Sequence, residues 1–407
     1  GFGRTGTVDW QTGSIKTGNF TAANGEGYFA NTSGGAFTMT LPSGSAGAIV
    51  SVVDYTNTFQ TNALTVSPQS GEKIGGVAGS VDLETEGQSV TFVYVDSTEG
   101  WKNVQDSTSN VTGISFISAT GGTVTTCGNC KIHTFTGPGT FCVSTGGSPG
   151  NAIVSYVVVA GGGGGADARN NNNCGAGGGG AGGFREFKSP VTPYTSSPLD
   201  GNPGGTSISI TGATAIPVTV GAGGVGASGP GPNNLTPVRP TSGSNSIFST
   251  VTSTGGGRGG SGDGSGKCGE YCGADGGSGG GMAFTGKSAG SGNTPPVSPP
   301  QGNPGGLGID PSASRGSGGG GGATAAGQQG QPSSGGSGGA GATSSINGTP
   351  TARAGGGGGG GTSSECAAGP GGSGGGGAGG SHPAGNGTAG TTNTGGGGGG
   401  ASRRDCA

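Results

Sequence analysis

Charged side chains are scarce: Asp, Glu, Lys and Arg make up 9% of the 407 residues, 16 basic against 19 acidic. So little basic charge excludes the cationic face that nucleic-acid binding needs. The same scarcity argues against disorder, because disordered chains ordinarily carry much charge. No apolar stretch approaches the ~20 residues of a membrane-spanning helix, so no membrane insertion is expected. No stretch keeps a 3.6-residue apolar period, which leaves almost no α-helix to expect. No secretory signal opens the chain; Gly1 follows either an excised Met or an upstream cut. Neither of the two histidines, His133 and His382, sits with a Ser, Cys or carboxylate pair that would form a nucleophile and base. No carboxylate pair of the glycosidase kind is identifiable locally. A protein that is not an enzyme, with no cofactor and no metal, is expected.

Glycine is abundant instead, 110 residues, and it is gathered into runs. They sit near 161–165, 175–183, 255–262, 276–281, 316–322, 335–341, 355–361, 371–380 and 395–400. There is no sustained Gly-X-Y phase, so collagen is excluded. A pure glycine run has no side chain to bury, so whatever holds this region must be backbone hydrogen bonding. Eight cysteines in a chain with so little core point to disulfides and an oxidising environment.

Upstream of the runs the pattern is β. Residues 1–24 form a polar lead-in. The domain 25–110 reads as antiparallel β, with strands at 27–31, 36–41, 49–54, 63–66, 79–83 and 89–95 punctuated by Gly, Asn, Ser and Pro. Trp101 is placed to close one end of that core. A second β unit, 111–160, carries strands at 113–119, 123–126, 131–136, 140–144 and 153–159. Within the glycine-rich region 161–407, the insert 184–254 holds strands at 206–210 and 216–220, and the proline-rich 294–304 reads as extended. The fold class is all-β, sandwich-like at the N-terminus, followed by a glycine-rich bundle.

Glycine in a left-handed helix of three residues per turn turns N–H and C=O groups outward in every direction. Such polyglycine II helices can pack hexagonally, each peptide bonded to a neighbour, and only glycine permits that approach. If successive runs alternate in direction, the loops after odd-numbered runs share one end. Those loops, with the C-terminal tail, hold Cys174, Cys268, Cys272, Cys366 and Cys406, whereas 184–254, 282–315, 342–354 and 381–394 hold no cysteine. A bundle tied by disulfides at one end is expected, with Cys268–Cys272 and Cys366–Cys406 the preferred pairs and Cys174 an alternative partner for either.

Several motifs carry a resemblance. Gly3-Arg4-Thr5-Gly6-Thr7-Val8-Asp9-Trp10-Gln11, Gly25-Glu26-Gly27-Tyr28-Phe29, Leu41-Pro42 and Tyr94 with Gly100-Trp101 resemble the N-terminal β domain of tail-fibre and virion structural proteins of phages infecting marine cyanobacteria. The stretch 131–141, Lys-Ile-His-Thr-Phe-Thr-Gly-Pro-Gly-Thr-Phe, and 157–161 resemble the glycine-rich domain of the same phages. The runs are similar to the distal adhesin of T-even-like phages, whose polyglycine helices form a sandwich with receptor-binding loops at one end. The resemblance implies a receptor-binding protein in the virion tail fibre. Its implied partners are a host cell-surface glycan or outer-membrane protein and other virion tail proteins. It also implies a homotrimer, assembled through residues 1–105 with Trp10 and Phe20 between chains. The rivals are a purely structural fibre or decoration protein and another extracellular glycine-rich structural protein.

Cys127-Gly128-Asn129-Cys130 has the spacing of half a zinc ribbon, but a second half would have to come from Cys268 and Cys272 with a different gap. A bridge between strands, Cys127–Cys142, is the better reading, with Cys130 left over or exchanging with Cys127. His133 reads as a surface strand residue. The binding candidates lie in the odd-end loops: Arg169 and Asn171 in an Asn-rich loop, Lys267, Glu270 and Tyr271 beside Cys268 and Cys272, Glu365, and Arg403 with Arg404 at the tail. Amides, charges and one aromatic face suit sugar hydroxyls or polar protein loops.

Overall fold

The structure, a computed structural model, describes residues 8–106, 113–148, 150–167, 175–227, 239–261, 272–284, 288–309, 316–361, 366–383 and 385–402. Among these no residue is helical, and the fold is all-β. The chain divides into two compact units: 1–118 with 144–152 and 210–213, and 119–143 with 153–209 and 214–407.

The first unit holds β1 (Asp9–Trp10), β2 (Phe20–Thr21), β3 (Glu26–Ala30), β4 (Phe37–Thr40), β5 (Ile49–Asp54), β6 (Leu64–Ser67), β7 (Val81–Leu83), β8 (Ser89–Asp96) and β9 (Gly100–Asp106). They form two sheets, ordered β1-β3-β5-β8-β9 and β2-β4-β6-β7. Up to β6, successive strands enter opposite sheets, so neighbours within a sheet run parallel: β1 with β3, β3 with β5, β2 with β4 and β4 with β6. The expected antiparallel domain is therefore a mixed one. Hairpin-length spacing between strands reads the same whether the chain returns to its own sheet or crosses to the other. The core fills the space between the sheets, with Val50, Val52, Val90 and Phe92 from one, Met39, Leu64, Val66 and Leu83 from the other, and Leu41, Phe59, Ile74 and Trp101 beside them. Alternation along β4 and β6 buries Phe37, Met39, Leu64 and Val66 and leaves the intervening threonines half-exposed, as the two-residue pleat requires. Trp101 is fully buried, and its Nε1 donates to Glu72 Oε2 at 3.1 Å.

Further along the chain are β10 (Ser118–Thr120), β11 (Thr123–Cys127), β12 (Cys130–Thr134), β13 (Gly139–Thr145), β14 (Ile153–Val154), β15 (Tyr156–Val159), β16 (Phe184–Phe187), β17 (Ile208–Ser209), β18 (Thr214–Thr219), β19 (Ser246–Phe248), β20 (Val251–Ser253), β21 (Ala342–Ser344) and β22 (Thr351–Arg353). β13 pairs with β18, β18 with β19 and β19 with β20, all antiparallel. β11–β12, β14–β17, β15–β16 and β21–β22 are two-stranded ladders. Residues 294–304 do not run extended as expected. Asn293 Oδ1 accepts from both Val297 N (3.1 Å) and Gln301 N (3.2 Å), which folds the segment into a loop.

β15 and β16 lead into and out of the first two glycine runs. Val157, Val158, Val159, Phe184 and Phe187 supply side chains suited to a pleated ladder. Beyond Val159 and Phe184 the side chains stop, and the bonding changes period. Ala160 N donates to Gly183 O (3.1 Å), Gly163 N to Gly180 O (2.8 Å) and Ala166 N to Gly177 O (3.1 Å), one bond every third residue. An antiparallel ladder would repeat every second residue.

The run 175–183 shows the rule in full. Ala176, Gly179 and Gly182 donate to Ala401, Gly398 and Gly395; Gly177, Gly180 and Gly183 donate to Gly260, Gly257 and Thr254; Gly178 and Ala181 donate to Gly318 and Gly321. Its carbonyls accept from three further segments, around 160–166, 278–281 and 357–360. Residues three apart address one neighbour, so this run is bonded to six surrounding segments. None of these bonds belongs to a sheet ladder or a helix. The close approach is possible only without side chains: a Cβ on Gly179 would lie 2.1 Å from Gly163 O.

Strict alternation of the runs does not hold. Gly257 N donates to Ser278 O and Gly260 N to Gly281 O, so 276–281 runs parallel to 255–260. The return leg between them is short and mixed in sequence, with Ala274 N bonded to Arg258 O (3.0 Å), and so carries no glycine signature. The run 371–380 is two legs, turned at Gly374 and Gly375 with φ of +97° and +92°. One leg bonds Gly369 N to Gly359 O, and the other bonds Gly377 N to Gly397 O.

Candidate functional site

The two ends of the glycine-rich bundle differ. At one end sit β15–β16, β19–β20 and β21–β22; a small apolar core joins Ala181, Phe184, Ala323, Ala342 and Ala354, with Val157, Val159 and Leu199 against it. Five leg ends are tied together at the other end: Ala166 N to Gly177 O, Gly177 N to Gly260 O, Gly360 N to Ala176 O and Ala401 N to Ala166 O, at 2.9–3.1 Å. The segments 168–174, 262–271, 362–365 and 403–407 all leave from this end. So do 285–287 and 310–315, because Met282 N donates to Gly306 O and Gly318 N to Met282 O. The expectation that 282–315 belongs wholly to the opposite end is therefore corrected, and so are those for 184–254 and 381–394: Ala227 N donates to Gly165 O, Gly380 N to Gly400 O and Ser402 N to Gly385 O, all at the loop end. The reason is the return legs, which the spacing of glycine runs does not reveal.

Arg169, Asn171, Lys267, Glu270, Tyr271, Glu365, Arg403 and Arg404 lie outside the described residues, as do Cys174, Cys268 and Cys406. The described residues at this end are mostly small or polar, apart from buried Met282, half-buried Phe284 and Ile309, and exposed Leu307. A turn at 331–334 closes with Gln331 N donating to Ser334 O at 2.8 Å, and Gly335 N donates to Ala367 O at 2.7 Å. Asp167, Ser261 and Ser402 are buried where the legs end.

The cysteines depart from expectation in two places. Cys127 and Cys142 are both free and exposed. Cys127 ends β11 in its own hairpin, while Cys142 belongs to β13 and pairs with Ala215 of β18, so the two stand in different sheets. The residue opposite Cys127 is Cys130, across a two-residue turn. Cys366 is free and 2% exposed, which removes the Cys366–Cys406 pair: its Sγ lies against the carbonyl of Ala367, at 4.0 Å. Cys272 is disulfide-bonded, with its partner outside the described residues. His133 is half-buried rather than a surface residue: its Nδ1 bonds Gly121 O at 2.8 Å and its ring meets Phe141 edge-on. Among the described residues no three His, Cys, Asp or Glu side chains come together.

Sequence reading missed a polar cluster at the sheet end. Glu186 of β16 is 3% exposed. It accepts from Ser344 Oγ at 2.6 Å and from Ser197 N at 2.9 Å. Burial pushes the Tyr194 phenol well above its ordinary pKa, and the Glu186 charge adds to the rise. Burial lowers Arg353, against the pull of Glu186. The carboxylate clasps the insert and the β21–β22 hairpin to β16, so its place is structural. The only sequence signal was a lone glutamate between two phenylalanines.

Residues 136–406 match the glycine-rich domain family, and the chain belongs to that family. No curated protein matches the chain.

Proposed function

We propose that this glycine-rich domain protein is a phage tail-fibre adhesin without enzymatic activity, whose loop end recognises the host cell surface. The glycine runs are read as polyglycine II helices; the three-residue bonding period and the six bonded neighbours of 175–183 support that reading. The observation that carries the proposal is the joining of leg ends at Ala166, Gly177, Gly260, Gly360 and Ala401, which brings together the described residues bordering the four candidate-bearing segments. A scaffold bonded through its backbone holds such segments with little ordering left to do when a ligand binds. Tyr271 is the aromatic anchor and Arg169 the guanidinium partner, addressing a surface glycan or an outer-membrane protein loop. The first unit joins the protein to the virion tail as a trimer. Trp10 is 40% exposed, its ring tilted against Phe29, and Tyr55 is 50% exposed, which suits contact between chains.

The test is adsorption of the full chain to intact host cells. Tyr271→Ala with Arg169→Ala should abolish or redirect it while thermal unfolding stays unchanged. Normal adsorption by that double variant, with loss on altering the segments 188–207 and 345–350 beside β16 and between β21 and β22, would place recognition at the sheet end. A monomer by light scattering would overturn the trimer. A dense backbone network also suits a rigid spacer, and that reading would follow if no loop-end change affected adsorption.

A further inference from the structure

The run 161–166 has five bonded neighbours rather than six. Its N–H groups reach Thr241 and Ser244 on one side and Gly177 and Gly180 on another. Its carbonyls accept from Gly224 and Ala227, from Gly256 and Gly259, and from Gly398 and Ala401. By the same three-residue rule, Gly162 N–H and Gly165 N–H face the remaining side, and they donate to no group among the described residues. Both glycines are buried. On that side lies a groove of about 260 Å³, floored by 162–166 and walled by 223–227, 386–390 and 396–401. Gly396 O and Gly399 O, which line it, accept from no described donor.

A buried amide without a partner is costly, so two in register, facing two carbonyls in register, are a binding feature. Donors and acceptors each repeat every three residues. That is the turn of a polyglycine II strand, ~9 Å at ~3.1 Å per residue. We infer that the groove binds an extended glycine-rich segment of a partner polypeptide as a sixth neighbour of run 161–166. Its carbonyls accept from Gly162 and Gly165, and its amides donate to Gly396 and Gly399. Residues facing the floor must be glycine, because the groove is as close-set as the bundle; residues facing solvent are unrestricted. The occupant is a partner rather than a second copy, since every described run of this chain is already bonded within its own bundle.

Two wall positions allow the groove to be filled without disturbing the bundle. A Cβ added at Gly223 meets nothing closer than Gly162 O at 3.8 Å, and one at Gly226 nothing closer than Gly165 O at 3.9 Å. The full chain is titrated with capped hexaglycine, and the amide resonances of Gly162 and Gly165 are followed. Both should shift to saturation. Capped hexaalanine should leave them unmoved, and Gly223→Leu with Gly226→Leu should weaken hexaglycine binding at least about tenfold. Absence of any shift at millimolar hexaglycine overturns the inference, and so does equal binding of hexaalanine or undiminished affinity in the double variant. Self-association of the chain that hexaglycine competes away would overturn the partner in favour of a second copy. Should the double variant melt early, the wild-type resonances and the comparison of the two peptides still decide.

Discussion

Replacing one central glycine by alanine tests whether backbone contact holds the bundle. In Gly179→Ala the new Cβ would lie 2.1 Å from Gly163 O and 2.7 Å from Gly163 C. Ordinary contact begins near 3.4 Å, so run 161–166 would have to retreat by roughly 1.3 Å. That retreat breaks the bonds from Gly163 to Gly180 and from Ala166 to Gly177, now 2.8 and 3.1 Å. Two lost bonds cost about 2 kcal/mol, and overpacking adds about 1–3 kcal/mol. The smaller unfolded-state entropy of alanine returns about 0.4–1 kcal/mol. The net loss is about 3 kcal/mol, a fall in Tm of roughly 6–12 °C for a unit of this size. Gly226→Ala is the control: its Cβ meets only Gly165 O, at an ordinary 3.9 Å, so only the entropic gain remains and Tm should hold or rise slightly. Calorimetric melting of both variants decides the matter. A Gly179→Ala protein melting within about 2 °C of the parent would refute the close-packing account, as would equal destabilisation by Gly226→Ala.

Three further outcomes are expected. Glu186→Leu strands Ser197 N and Ser344 Oγ and should destabilise the second unit by about 2–4 kcal/mol in calorimetry, with Glu186→Gln milder because one acceptor oxygen remains. Tyr28 is pushed up to about 12, first by burial and then by its bond to Glu26. The folded state holds that proton more tightly than the unfolded one. Stability is therefore full below pH ~10 and lost as pH rises toward ~12, and Tyr28→Phe should flatten this alkaline limb in a pH series of melts. In a native thiol-labelling time course, exposed Cys127 and Cys142 should react promptly, and buried Cys366 only on unfolding.

The sequence by itself determined where side chains can pack and where they cannot. A short β-branched run marked β5 at 49–54 without error, and apolar residues between turn signals marked most other strands of the first unit to within two residues, because strand propensity and turn chemistry are local properties. Runs without side chains announced a region held by its backbone. The sequence grouped 168–174, 262–271, 362–365 and 403–407 by strict alternation of runs; the described residues bordering them do share one end, but through return legs that the counting did not include. Tertiary structure decided the rest. Parallel pairing of β3 with β5, and of β4 with β6, depends on which sheet each connection enters, and no local pattern records that. The return leg at 272–275 looks like loop in sequence; only its bond to Arg258 O shows that it descends the bundle and sets 276–281 parallel to 255–260. Glu186 and Ser344 are 158 residues apart and meet only in the fold. The groove beside Gly162 and Gly165 was equally hidden, since every glycine in a run reads alike until its neighbours are placed. A glycine carries no side chain to encode a partner, so which strand it bonds is fixed by how the whole bundle packs.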